Sequence, residues 1–177
     1  MWKKFKQWFD VEPVDAIFFA PQTVTLQEQK YLIRRMTDED ISAALEVERM
    51  VYHQLPWDRL AFLSELRKAD HALYLVVEVD AVIIGFIGCW FGPSEAHVTN
   101  IAVAPSHQHR GLGRYLMQLM VDEAISRGAL EITLEVRMDN VIAQNLYHSL
   151  GFEDGQIRHG YYVADHEDAL NMRKSLQ

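Results

Sequence analysis

The chain has 177 residues, of which 49% are hydrophobic and 24% are charged. This length fits one domain, the apolar share can supply a full core, and the charged share argues against general disorder. The formal net charge of −8 argues against nonspecific nucleic-acid binding, which needs a basic surface.

The cysteine content and the apolar runs limit the expected location of the protein. Cys89 is the single cysteine, which excludes an internal disulfide framework and fits a reducing, cytoplasmic compartment. No apolar stretch approaches the roughly 20 residues of a membrane-spanning helix, so no transmembrane segment is expected. The start, MWKKFKQWFDVEP, lacks the continuous apolar core of a signal peptide.

Aromatic residues near the N-terminus follow a helical spacing, with lysines around them. Those on one face are Trp2, Phe5, Trp8 and Phe9. This pattern predicts a short amphipathic helix. Two interpretations stay open for it, docking on a partner or membrane surface and packing on its own domain.

Hydrophobic periodicity predicts a mixed domain over residues 31–177, after an N-terminal extension of residues 1–30 that ends in the polar stretch PQTVTLQEQK. Alternating apolar residues indicate strands, and a spacing near 3.6 residues indicates helices. The predicted elements are strand Tyr31–Arg35, helices Asp38–His53 and Pro56–Lys68, strands Ala72–Val79, Val82–Phe91 and Ala96–Val103, a helix from the glycine turn to Gly128, strand Leu130–Arg137, helix Asn140–Leu150, and strands Phe152–Val163 and Asp168–Arg173. This order predicts a mixed α/β (α+β) fold.

Three local features stand out in the first half of the domain. Thr37 with Asp40 resembles a capping box at the start of the first helix. The tight Asp80-Ala81 connection suggests a β-hairpin. Glu48 interrupts an otherwise apolar helix face, which makes it a candidate functional residue.

A glycine-bearing turn, His109-Arg110-Gly111-Leu112-Gly113-Arg114, joins a strand to a long amphipathic helix. The first N–H groups of a helix lack internal partners and carry partial positive charge, so this turn is a candidate anion site. The two glycines leave room for a phosphate to approach, and the two arginines add charge. The third glycine of a dinucleotide fingerprint and the Gly-Lys-Ser/Thr of a P-loop are missing. By itself the turn is equally compatible with a purely structural role.

The surrounding sequence resembles the GNAT superfamily of N-acetyltransferases. The segment NIAVAPSHQHRGLGRYLMQLMVDEAISRG matches its core signature, with Gln108, Gly111 and Gly113 in the Gln/Arg-x-x-Gly-x-Gly/Ala loop. The downstream segment is similar to one branch, the RimI-type ribosomal-protein-alanine N-acetyltransferases, over about residues 31–174. The matching motifs are Leu134-Glu135-Val136-Arg137, Asn140 with Ala143, Leu146 to Phe152, Pro56-Trp57, Tyr161-Tyr162 and Glu167-Asp168-Ala169.

The resemblance implies a fold and a co-substrate. A GNAT-type fold has a central twisted sheet of about seven strands flanked by helices and splayed between the fourth and fifth strands, with acetyl-CoA in the gap. The turn over residues 109–114 would bind its pyrophosphate. Backbone groups of Ile101, Ala102 and Val103, together with Asn140, would bind the pantetheine arm.

The resemblance also implies catalytic roles. Glu135 would act as the general base, directly or through water, although it also simply continues the polar face of its strand. Tyr147 would protonate the departing thiolate, with half-buried packing as the alternative. Asn140 and Tyr147 are nearly two helical turns apart and can face the same groove.

The acceptor side of the site is less well defined by the sequence. Glu48, with Tyr52 one turn later, is a candidate for orienting the acceptor's ammonium, with a solvent-edge carboxylate as an equal alternative. The segment between Glu48 and Pro56 is one residue longer than usual for the branch, and residues 1–30 have no counterpart in its compact members.

Three functions are therefore open. The first is acetylation of a protein N-terminus, with a ribosomal-protein alanine as the acceptor that the resemblance implies. The second is acetylation of a small amine or antibiotic, and the third is a catalytically silent CoA-binding module. The histidines match no zinc spacing, so no metal is expected. Acetyl-CoA and the acceptor are the expected partners, without direct nucleic-acid contact. The sequence leaves the oligomeric state and the role of residues 1–30 open.

Overall fold

A computed structural model describes residues 16–52, 57–163 and 165–177. The strands are β1 Gln22–Leu26, β2 Gln29–Arg35, β3 Ala72–Val79, β4 Val82–Phe91, β5 Glu95–Val103, β6 Glu131–Arg137, β7 Glu153–Tyr162 and β8 Glu167–Ser175. The helices are α1 Ile41–Val51, α2 Arg59–Leu66, α3 Leu112–Ser126 and α4 Val141–Ser149. The amphipathic helix expected near residues 2–9 lies outside the described residues.

The predicted mixed α/β fold is confirmed. The strands form one sheet in the order β1-β2-β3-β4-β5-β6-β8-β7. All pairs are antiparallel except β5 with β6. The Asp80-Ala81 hairpin is present, with both residues at positive φ. None of the helices in the described part of the chain is long and apolar enough to cross a membrane.

The sheet has one strand more than the sequence indicated, because β1 lies within the segment assigned to the extension. β1 pairs with β2 across a turn at Gln27 and Glu28, both at positive φ. Neither is a glycine, asparagine or aspartate, the residues that usually mark such turns. The sheet therefore begins before residue 31, and the boundary predicted there falls within β2.

The helices cover the two faces of the sheet. Buried residues of α3 and α4, among them Leu116 and Tyr147, pack with inward-facing residues of β2 to β6 and of β8 in one apolar cluster. Ile41 and Val47 of α1 and Phe62 of α2 form a second cluster with β3 and β4 on the other face. Burial of apolar surface on both faces supplies the main stabilising free energy of such a fold.

A bulge and a divergence shape the centre of the sheet. In the β4–β5 ladder the register moves from Cys89↔Val98 to Gly88↔Asn100, which leaves Thr99 as the extra residue. The Thr99 hydroxyl lies 2.6 Å from the Tyr74 hydroxyl. Parallel pairing of β5 with β6 stops at Val98↔Leu134, whereas β6 stays paired with β8 up to Arg137.

This divergence confirms the predicted splay between the fourth and fifth strands. Those strands are β5 and β6 here, since β1 precedes the strands counted from the sequence. The C-terminal halves of β5 and β6 are left without each other as hydrogen-bonding partners. Exposed main-chain groups therefore line a gap in the middle of the sheet.

The packing around the β4–β5 bulge is expected to require a glycine at position 88. A Cβ there would lie 2.1 Å from Cε1 of Tyr74, a ring that is buried and hydrogen-bonded to Thr99. Gly88→Ala should therefore lower the free energy of unfolding by about 1–3 kcal/mol or more, measured by urea denaturation. Gly113→Ala is the control, since its Cβ would meet only Leu146 at 3.5 Å. Equal losses in the two variants would contradict the steric argument.

Candidate functional site

The glycine turn opens α3 as the sequence predicts. Gly111 is the N-cap with φ +86°, and His109 is also left-handed at φ +59°. The first hydrogen bond into the helix runs from the Tyr115 N–H to Gly111 O, at 3.0 Å. The N–H groups of residues 112–114 thus have no intrahelical acceptor and, with the helix dipole, favour an anion at this end.

The side chains around this turn leave the helix start open. Gly111 has nothing within 4 Å of a notional Cβ, so its positive φ rather than crowding requires a glycine. His109 and Arg110 are exposed. Arg114 donates to Ser149 Oγ at the end of α4, at 2.6 Å, which places a guanidinium between the two helices. A phosphate group fits this combination of free N–H groups and local positive charge.

The exposed edge of β5 presents alternate residues to the gap. The Ala104 N–H donates to Ile84 O of β4 at 2.8 Å. Since hydrogen-bonded and non-bonded pairs alternate in an antiparallel ladder, Ala102 directs its backbone toward β4, while Ile101 and Val103 direct theirs into the gap. This differs from the expectation that all three would meet the cofactor. The backbone of Ala102 is committed to the sheet.

Two side chains already occupy carbonyls on this edge. The Tyr52 hydroxyl donates to Ile101 O at 2.8 Å, and Gln108 Nε2 donates to Val103 O at 2.8 Å. Gln108, which matched the GNAT loop pattern, thus ties the glycine turn to the end of β5. The N–H groups of Ile101 and Val103 are the backbone donors that this edge offers to the gap.

Tyr147 of α4 lies at the other side of the gap. It is buried and packs against Phe152, with ring centroids 6.0 Å apart. Burial raises the pKa of Tyr147 well above its usual range, and the neighbouring Tyr52 and Tyr162 add to the increase. The phenol therefore carries its proton at neutral pH and is suited to donating it to a strongly basic group.

Asn140 begins the same helix. Its Oδ1 accepts from the Ala143 N–H at 3.1 Å and caps α4. The side-chain carbonyl expected to bind the cofactor arm is thus engaged in the cap, which is a common role of asparagine. The amide NH₂ group of Asn140 remains as the donor that this side chain can direct toward the gap.

Glu135 lies on β6 where the gap opens, and its side chain is 6% exposed. Burial raises its pKa, but His97, Arg158 and Asn171 outweigh this and hold the pKa of Glu135 below its ordinary value. His97 Nε2 lies 3.0 Å from Oε2, and Arg158 Nη1 lies 3.2 Å from Oε1. Asn171 Nδ2 donates to Oε1 at 3.3 Å. Glu135 is therefore ionised at neutral pH.

The sequence does not single out these three partners. They come from β5, β7 and β8, and no spacing along the chain relates them to Glu135. The contacts of Arg137 are likewise not evident from the sequence. Arg137 lies 3.0 Å from Asp139, 2.8 Å from Asp165 and over the Tyr162 ring at 5.1 Å. Arg137 thereby holds the β7–β8 turn beside the end of β6.

Glu48 of α1 is fully buried. Burial raises the pKa of Glu48 to about 7, while Asn100 and the backbone of Trp57 act in the opposite direction. These two groups are near, yet neither carboxylate oxygen has a hydrogen-bond partner of normal geometry among the described residues. The predicted acceptor role needs an accessible carboxylate, and Glu48 is enclosed. Of the two predicted acceptor-binding residues, Glu48 and Tyr52, only Tyr52 reaches the gap, through its contact with Ile101 O.

Sequence comparison identifies the class of protein. A profile of the acetyltransferase (GNAT) family matches residues 33–152, and the chain belongs to this family. It is 37% identical over 139 residues to the ribosomal protein bS18-alanine N-acetyltransferase of Salmonella typhimurium, covering 77% of this chain and 92% of the relative.

Solved structures agree with this assignment. The ribosomal-protein-S18-alanine N-acetyltransferase of Escherichia coli superposes with a TM-score of 0.74 and 34% identity, covering 83% of this chain and 94% of that one. Ard1 from Thermoplasma volcanium superposes with a TM-score of 0.75 and 23% identity, over 83% of this chain and 98% of that one. The second match supports the fold alone.

Glu48 should make stability depend on pH in an unusual direction. Because its pKa is about 7 in the folded protein and near 4.3 in an unfolded chain, ionisation is penalised by folding. This penalty on the free energy of unfolding is absent below about pH 4, where Glu48 is protonated in both states. The stability then falls as the pH rises from about 4 to above 7. Glu48→Gln should therefore gain about 1–3 kcal/mol over the wild type at pH 8 and little at pH 4.5.

The measurement is urea denaturation of both proteins across this pH range. Glu46→Gln is the matched control, because Glu46 is an exposed glutamate on the same helix. A Glu48→Gln variant that is less stable than the wild type at both ends of the range would show that the carboxylate makes a stabilising contact instead.

Proposed function

We propose that the protein transfers the acetyl group of acetyl-CoA to the N-terminal α-amine of a protein, with the N-terminal alanine of a ribosomal protein as acceptor. One observation carries this proposal: the gap between β5 and β6 joins an anion-binding helix start to Tyr147 and Glu135. The activity in the names of the Salmonella typhimurium and Escherichia coli relatives supports the choice of acceptor. Such an acceptor places the reaction in the cytoplasm.

The described residues fit acetyl-CoA as the donor. The N–H groups of residues 112–114, with Arg110 and Arg114, would hold its pyrophosphate. The N–H groups of Ile101 and Val103 and the amide of Asn140 would hold the pantetheine arm. Acetyl-CoA supplies an activated acetyl group as a thioester, and a backbone N–H on the gap edge would polarise its carbonyl.

The two catalytic candidates differ in protonation, as the reaction requires. An α-ammonium has a pKa near 7.7–8.0, so a modest proton acceptor releases the nucleophilic amine at neutral pH. Glu135 is ionised and can receive that proton, directly or through a water molecule. Tyr147 is protonated and can deliver a proton to the departing thiolate.

The acceptor would enter beside Tyr52 and the β7–β8 turn. Tyr52 contacts the gap edge through Ile101 O, and Tyr162 is held close by Arg137. Burial, together with Glu48 one turn earlier in the chain, raises the pKa of the Tyr52 hydroxyl to about 12. We assign Glu48 an indirect electrostatic effect on the acceptor slot through Tyr52. Direct contact with the acceptor's ammonium would require the Glu48 carboxylate to become exposed.

The function is tested with acetyl-CoA and a peptide that begins with alanine. Thiol release and mass spectrometry of the product should show one acetyl group on the α-amine, and a peptide with a blocked N-terminus should not react. A parallel panel of small amines separates the alternatives. Acetylation of those amines alone would contradict the protein acceptor, and CoA binding without any transfer would indicate a silent binding module.

Removal of the Tyr147 hydroxyl should slow the chemical step selectively. Tyr147→Phe is expected to lower kcat about 100-fold or more, since general acid catalysis contributes on this order. Acetyl-CoA affinity, measured by calorimetry, should change by less than about threefold. Tyr31→Phe is the matched control, because it removes a hydroxyl from another buried tyrosine. Unchanged turnover in Tyr147→Phe would remove Tyr147 from the acid role.

A further inference from the structure

His97 occupies the last paired rungs of β5 and β6, just before the strands separate. It is the register partner of Thr133, and pairing ends one residue later at Val98↔Leu134. Its Nδ1 lies 2.8 Å from Thr133 Oγ1, and its Nε2 lies 3.0 Å from Glu135 Oε2. The imidazole therefore bridges the closed part of the sheet and the carboxylate at the mouth of the gap.

The hydrogen bonds accommodate a ring that carries a proton on each nitrogen. The Thr133 hydroxyl donates to Ala96 O at 3.4 Å, which leaves a Thr133 oxygen lone pair for the N–H at Nδ1. A proton on Nε2 then gives Glu135 a charge-assisted donor. Without that proton, Nε2 presents a lone pair and the carboxylate loses both a donor and a neighbouring positive charge.

The two carboxylate oxygens of Glu135 therefore have different partners. Oε1 faces Arg158 and Asn171, and a guanidinium keeps its charge at every working pH. Oε2 faces His97, whose residue type ordinarily changes charge between pH 5 and 8. A carboxylate with a cation on each oxygen is a poor proton acceptor. Loss of the charge on His97 makes Glu135 a better one.

We infer that His97 is a positioning residue whose protonation sets how readily Glu135 accepts the proton of the acceptor amine. The inference rests on the proposed function and deepens it. In this arrangement the proton passes from the ammonium to Glu135, directly or through water. His97 donates to Glu135 at low pH, and its deprotonation switches the carboxylate to the more basic form.

Other charged groups lie near His97 on the same face of the sheet. Alternation and register place there Glu95 on β5, Glu131 on β6, Arg173 on β8 and Glu153 on β7, besides Arg158 on β7. Of these, Arg158 contacts Glu135. His97 and Arg158 are therefore the two basic side chains that act on the carboxylate, and of these two residue types only histidine ordinarily changes charge between pH 5 and 8.

The test measures kcat at saturating Ala-peptide from pH 5.5 to 8 for the wild type and His97→Gln. The ratio of the two rates cancels the titration of the acceptor amine, since both proteins meet the same amine. We expect the ratio of wild type to His97→Gln to rise about fivefold or more across this range, in which imidazole ordinarily titrates. A ratio that stays constant with pH overturns the inference.

Glu135→Gln and the double variant separate a switch from a structural role. In the Glu135→Gln background the added His97→Gln change should leave the pH profile unaltered, because its target is gone. A merely structural histidine would lower the rate in both backgrounds without changing the profile. Thermal unfolding and CoA affinity serve as folding checks, and His97→Asn replaces His97→Gln if that variant is misfolded.

The same variants distinguish the two proposals. One outcome contradicts only the role of His97: Glu135→Gln turns over slowly, but the ratio of the wild-type rate to the His97→Gln rate does not change with pH. If the Glu135→Gln variant turns over at the wild-type rate at every pH, Glu135 is not the proton acceptor, and the role of His97 is contradicted with it. No transfer to any amine by the wild type contradicts the proposed function itself.

Discussion

The separation of β5 from β6 beyond Val98 and Leu134 is the constraint on which the rest of the structure depends. Backbone N–H and C=O groups left without a partner inside a sheet are costly unless another group satisfies them. Here the carbonyls of Ile101 and Val103 are satisfied by the Tyr52 and Gln108 side chains. The N–H groups remain available, so the fold keeps open a site that a bound ligand can complete.

Each side of the gap is held rigid by its other neighbour. β6 pairs with β8 along its whole length, and β5 pairs with β4 through a bulge that the Tyr74–Thr99 hydrogen bond supports. Helices α3 and α4 pack on one face with a shared apolar cluster. The start of α3 and Tyr147 are thereby fixed relative to the gap by packed elements rather than by loops, which is what precise positioning of reactants requires.

The local environment assigns different protonation to acidic groups that the sequence alone does not distinguish. Glu48 and Glu135 both interrupt or border apolar patterns, yet burial without partners raises the pKa of one to about 7. Cations and an amide lower the pKa of the other. Of the two carboxylates, Glu135 is therefore the one suited to accept a proton at the gap, where Tyr147 is the group that holds one.

The sequence by itself determined most of the elements and the glycine turn, because periodicity, capping and glycine placement are local properties. Its motifs also showed the resemblance to the family. It did not predict β1, whose turn at Gln27 and Glu28 lacks the usual turn residues. Only the tertiary structure decided that Ala102 faces β4 and that His97 reaches Glu135. These outcomes depend on register and on strands distant along the chain, and a one-residue change of register reverses every side chain on a strand.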